Sequence, residues 1–160
     1  MPGLRWIVAA LLALSATGCA GLAGEEETEA GFPVRPSADG TFFGWTEVTI
    51  SADANDAERA TLVSARLDVA DPSKASDLSF FRTLRGEAVV DATRTLVIDE
   101  DSFPKGERPV GLNIVYGGDL RPFFKDGHTI RLEWSGTVDS SFAWPPEGID
   151  CKVTAKVDIE

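Results

Sequence analysis

The strongest constraint on what this chain can fold into is a period of two near its C-terminus. Cys151, Val153, Ala155, Val157 and Ile159 alternate with Lys152, Thr154, Lys156, Asp158 and Glu160, so an extended segment here has one apolar face and one polar face. A helix would scatter those residues around its surface, whereas a half-buried antiparallel strand requires the alternation. The pattern recurs upstream. Ile130, Leu132, Trp134, Gly136 and Val138 alternate with Thr129, Arg131, Glu133, Ser135 and Thr137. Val110, Leu112, Ile114 and Tyr116 do so against Gly111 and Asn113, and Val63, Ala65, Leu67 and Val69 against Ser64, Arg66 and Asp68. In the first strand Thr46, Val48 and Ile50 set the inner face, while Phe43 and Trp45 fall out of phase, and Gly44 marks a bulge that absorbs the slip. Residues 84–91 and 95–99 complete the set, joined by a turn through 92–94. Residues 76–82 and 119–127 each predict one helical turn, the second stopped by Gly127. The expected fold is all-β: a seven-stranded antiparallel immunoglobulin-like β-sandwich over residues 41–160, lacking the core disulfide of that class.

Before Thr41 the character of the chain changes. Arg5 precedes an unbroken apolar run, residues 6–14, which at nine residues falls short of the roughly 20 needed to span a bilayer. Small residues follow, then Cys19, which is the pattern of an export signal over residues 1–18. Residues 19–40 contain Glu25, Glu26, Glu27 and Glu29, the breakers Gly31, Pro33, Pro36 and Gly40, and only Leu22, Phe32 and Val34 as large apolar side chains. Such a segment buries too little to offset its chain entropy, and it is expected to be a disordered acidic linker about 25 Å long.

Leu14-Ser15-Ala16-Thr17-Gly18-Cys19 resembles the lipobox of bacterial lipoproteins. The resemblance implies that Cys19 is acylated, with palmitate among its acyl chains, and becomes the first mature residue. Ala20, rather than aspartate, in the next position implies the outer membrane as destination. With Cys19 occupied by lipid, Cys151 has no partner for an intramolecular disulfide. A second, weaker resemblance runs from Leu67-Asp68-Val69-Ala70-Asp71-Pro72 through Phe103-Pro104-Lys105-Gly106 to Val110-Gly111-Leu112-Asn113-Ile114. It is similar to uncharacterised bacterial envelope lipoproteins and to the water-stress and late-embryogenesis-abundant sandwich domain, and it implies a fold rather than an activity.

Composition narrows the function. A net charge of −11, from 26 acids against 15 Lys and Arg, argues against nucleic acid, which calls for a basic surface. One histidine, His128, leaves little for a His-built metal centre or a Ser–His–Asp system; it reads as a turn-edge residue, and no G-x-S-x-G surrounds any serine. Cys151 lies on the apolar face of its strand and reads as an inert core thiol. The acids at 53–58 and 99–101 lack the spacing of a calcium loop. No catalytic residue, metal or cofactor is therefore assigned. The candidate binding surface is Phe142, Trp144, Pro145 and Pro146, where rings beside rigid prolines form a low-entropy contact surface. The competing use of that loop is to cap the core. Strand counting puts it at the same end as Thr41, and so beside the tether and the membrane. The expected function is a lipid-anchored envelope protein whose non-enzymatic sandwich does structural or binding work, with the membrane as partner through Cys19 and an envelope protein or saccharide as a further partner. The alternatives are a small hydrolase using a carboxylate pair, and a carrier of an apolar ligand, which needs a void inside the sandwich.

Overall fold

The computed structural model of the chain describes residues 24–50, 56–125 and 128–160. Among these described residues lie eight strands: β1 Gly24–Val34, β2 Thr41–Thr49, β3 Ala60–Val69, β4 Phe81–Val90, β5 Thr93–Glu100, β6 Val110–Gly111, β7 Thr129–Val138 and β8 Ile149–Ile159. They form two antiparallel four-stranded sheets, ordered β1-β8-β3-β6 and β2-β7-β4-β5. The first strand pairs with the last, the second with the seventh, the third with the sixth and the fourth with the fifth. This is one long antiparallel hairpin, with its tip at Asp91 and Ala92, rolled into two layers. That is the eight-stranded jelly-roll architecture. An immunoglobulin sandwich keeps its first two strands in one sheet; here β1 and β2 lie in opposite sheets.

The eighth strand is β1, and it occupies residues expected to be linker. Its acids obey a period of two. Glu25, Glu27 and Glu29 point outward, and Phe32 and Val34 are buried. Lys156, Arg66 and Lys152 on β8 and β3 meet the three glutamates at 2.6, 3.2 and 3.0 Å. The acidic run is thus half of an inter-strand charge ladder, and cross-strand opposite charges favour pairing. Pro33 is tolerated because β1 is an edge strand that needs no amide from it.

Four further expectations are corrected. The register from Thr41↔Thr137 to Thr49↔Thr129 is unbroken, so Gly44 marks no bulge. A Cβ at position 44 would lie 3.1 Å from the Pro33 carbonyl, and the glycine serves the close approach of β1 to β2. Residues 110–116 do not form one strand: Leu112 N–H donates to Ala65 O in one sheet, while Val115 N–H donates to Val97 O in the other. The segment crosses at the corner, which is why β6 is two residues long. Residues 76–80 are turns without a helix, whereas Arg121–Phe123 does form a single 3-10 turn; the expected stop at Gly127 lies outside the described residues.

The last correction concerns orientation. Trp144 lies at the end of the sandwich that holds Thr41, as strand counting expected, since Val138 N–H donates to Gly40 O. Because β1 is a strand, however, Gly24 pairs with Ile159 at the opposite end. The chain therefore enters the domain far from the aromatic loop.

The core lies between the sheets. Trp134, fully buried on β7, stacks on Phe32 with ring centroids 4.8 Å apart and planes 10° from parallel. Gly44 and Gly86 flank Trp134 in register, and Gly86 clears space for the indole. At the far end Phe42, Phe80, Phe81 and Phe103 form an aromatic lid over the core.

Candidate binding face

The outer surface of the β2-β7-β4-β5 sheet combines exposed aromatic rings with an ordered polar network. Along β2 the buried side is Phe42, Gly44, Thr46 and Val48, which forces Thr41, Phe43, Trp45, Glu47 and Thr49 outward. Phe43 is 59% exposed and Trp45 50%, and among the described residues no other aromatic side chain stands out as far. Two residues apart on one face, the rings sit roughly 7 Å from each other along the strand.

Trp45 pairs in register with Glu133, whose carboxylate is 6% exposed although it belongs to the outer face. Two arginines cover it. Arg131 Nε donates to Oε1 at 3.1 Å, its Nη2 lies 3.1 Å from the same oxygen, and Arg94 donates to Oε2. Arg94 also reaches Glu87 at 3.4 Å, bridging two glutamates that face each other in register. Without it these like charges would push β4 from β7. The guanidinium of Arg131 lies 4.7 Å from the centroid of the Trp45 ring. Its fork is held by Glu133, so the cation–π contact fixes the indole orientation on the sheet.

Two polar troughs run beside the rings. One, about 450 Å³, is bounded by Glu47, Asp91, Arg94, Lys125 and Arg131 with Glu133 at its floor. The other, about 590 Å³, is bounded by Thr83, Arg85, Asp99, Asp101, Asn113 and Ser135. Arg85 pairs with Asp99 at 3.2 Å. Three cations meet three acids in the first trough, and most charges in both are already engaged with one another. The face is rich in fixed donors and acceptors yet carries little net charge.

The loop expected as a binding surface packs its rings against the core. Trp144 packs edge-on to Phe80 at 5.2 Å, Phe142 lies 5.3 Å from Phe80, and the Trp144 indole N–H donates to Asp139 O at 3.1 Å. These rings extend the aromatic lid, and both are half-buried; Pro145 is half-buried and Pro146 exposed. Cys19 lies outside the described residues. Cys151 is fully buried, and burial pushes its thiol well above the usual range, with Asp150 and Asp68 adding to the effect. His128 sits in the left-handed region at φ 74°, and its carbonyl accepts from Ile50 N–H. In the 99–101 stretch, Glu100 accepts backbone N–H bonds from Asp101, Ser102 and Asn113 at 2.9–3.1 Å, so it clamps a loop. Among the described residues no group of three or more His, Cys, Asp or Glu is placed to hold a metal ion. The sandwich interior holds a cavity of about 30 Å³ lined by Ile50, Leu62, Ile98, Leu132 and Val153, far below the roughly 300 Å³ at which ligand pockets begin.

Sequence reasoning missed the Phe43 and Trp45 face, although its signal was present. Gly44 and Thr46 are small residues in the phase of the inner face, and the large rings occupy the other phase. Reading the rings as inward required a slip; reading them as outward required none. Comparison with protein-family models, with curated proteins and with solved structures finds no match to this chain.

Proposed function

We propose that the chain is an exported lipoprotein of the bacterial cell envelope, anchored by acylated Cys19 in the outer membrane, whose sandwich works by binding rather than by catalysis. The binding surface is the outer face of the β2-β7-β4-β5 sheet, and the ligand is polyhydroxylated, as an envelope saccharide is. One observation carries this reading: Phe43 and Trp45 stand side by side on that face, about half exposed, with Trp45 held in place by Arg131. A sugar ring offers an apolar C–H face to stack on such rings and hydroxyls to bond the fixed carboxylates, amide and hydroxyls of the troughs. The near-balance of charge favours a neutral ligand over a polyanion, which the net charge of −11 would repel.

The anchor is argued from the lipobox residues and from an apolar run too short to span. No helix among the described residues is long and apolar enough to cross a membrane. A carboxylate-pair hydrolase has Asp99 and Asp101 as candidates in the second trough, where Asp99 is tied to Arg85. The test is titration of neutral envelope oligosaccharides against tryptophan fluorescence. Binding should be at least tenfold weaker in Trp45→Ala, while release of new reducing ends that is lost in Asp101→Asn would favour the hydrolase. Equal affinity of Trp45→Ala and the parent would overturn the assignment of the face. In parallel, cells fed labelled fatty acid should label the parent and not Cys19→Ala.

A further inference from the structure

Gly24 and Glu160 mark one end of the sandwich, together with the β4–β5 turn and the loop before β3; the aromatic lid of Phe80, Phe142 and Trp144 marks the other. The eleven residues of β8 separate the two ends by roughly 35 Å. Cys19 is five residues before Gly24, and five fully extended steps cover at most about 17 Å. We propose that the lipid anchor imposes an orientation: the Gly24 end faces the bilayer at close range, and the aromatic lid points away from it. The proposal rests on the anchor reading above.

Chain length alone sets this limit, whatever conformation residues 20–23 adopt. A leash of about 17 Å attached at one end of a body about 35 Å long cannot let the opposite end reach the lipid unless the body lies flat. Lying flat would bring either the charge ladder of Glu25, Glu27 and Glu29 with their cationic partners, or a neighbouring flank, onto the headgroups. The membrane-facing end carries Glu25, Glu26, Asp56, Glu58, Asp158 and Glu160 against Arg59 and Lys156, so its excess of acid is held off by anionic lipid and the domain stands above the surface rather than inserting. The Phe43 and Trp45 face then runs along the membrane normal, open to a ligand from the side.

The test uses the full-length lipidated protein in vesicles of phosphatidylethanolamine and phosphatidylglycerol carrying spin-labelled headgroups. Acylation of Cys19 and burial of Cys151 leave an introduced surface cysteine as the single reactive thiol. A fluorophore at Asp56→Cys should be quenched several-fold more than one at Ala143→Cys, both positions being exposed. Inserting a twenty-residue Gly/Ser spacer between Cys19 and Gly24 should erase the difference. Equal quenching at the two positions, or stronger quenching at 143, in protein whose mass shows the acyl chains would overturn the orientation alone. Protein recovered from cells without acyl mass on Cys19 would overturn the anchor reading, and the orientation with it.

Discussion

At the scale of single residues, the packing of Trp134 decides what its neighbours can be. A Cβ on Gly86 would sit 2.7 Å from Cζ3 of the indole, inside van der Waals contact. Gly86→Ala must therefore move a fully buried ring that is also stacked on Phe32, and should destabilise the fold by about 1–3 kcal/mol in chemical unfolding. Asp119 gives a second prediction. Burial pushes its carboxyl up, but the Arg121 side chain and the backbone N–H groups of Ala60 and Arg121 outweigh this and hold it at about 2, against an ordinary 3.8. Its folded value lies below its unfolded one, so the stabilisation is complete above about pH 4 and is lost as pH falls towards 2. Asp119→Asn should cost about 1–2 kcal/mol at pH 7 by urea unfolding, with the gap closing between pH 4 and pH 2. Trp134, Cys151 and the inner face of β8 were legible in the sequence, because alternation fixes which side of a strand is buried. Gly44 was not: a glycine within an alternating run is compatible with a bulge or with close backbone approach, and the contact that decides, with Pro33, is far in sequence.

At the scale of elements, β1 separates a folded domain from an incomplete one. Its removal takes Phe32 and Val34 out of the core, bares one edge of β8 and leaves Trp134 without its stacking partner. Two large buried side chains contribute on the order of 5 kcal/mol together, comparable to the whole stability of a small domain. A chain beginning at Gly24 should fold, whereas one beginning at Thr41 should lack the near-ultraviolet circular dichroism of ordered aromatic rings. Changing Glu25, Glu27 and Glu29 together to lysine sets like charges against Lys156, Arg66 and Lys152. The melting temperature should fall at low salt and recover in part at high salt, since the ladder is exposed and screened. Acidic composition hid this strand. Four glutamates in five residues read as a solvated run, and their role appears only when the cations of β8 and β3 are set opposite them.

At the scale of the whole molecule, the nested pairing makes the chain's extremes into neighbours. Gly24 meets Ile159, and Val34 meets Ile149, so the first and last strands form only when the roll closes. Loop-closure entropy must be met before those contacts contribute, which places the domain among slowly folding, non-local topologies. The same closure puts the N-terminal entry at one end and the aromatic lid at the other, and both the proposed orientation on the membrane and the lateral exposure of the Trp45 face depend on it. The all-β class was legible because strands announce themselves by period. Strand count and topology were not, because pairing partners more than a hundred residues apart leave no local signal. The acidic segment Gly24–Val34 is a full member of the sandwich, and native-state amide hydrogen exchange reads that membership residue by residue. The β1 amides that point at β8 are expected to exchange as slowly as those of β8 itself, through the same global opening. Exchange of those amides at the rate of an unstructured peptide, while β8 stays protected, would contradict the account.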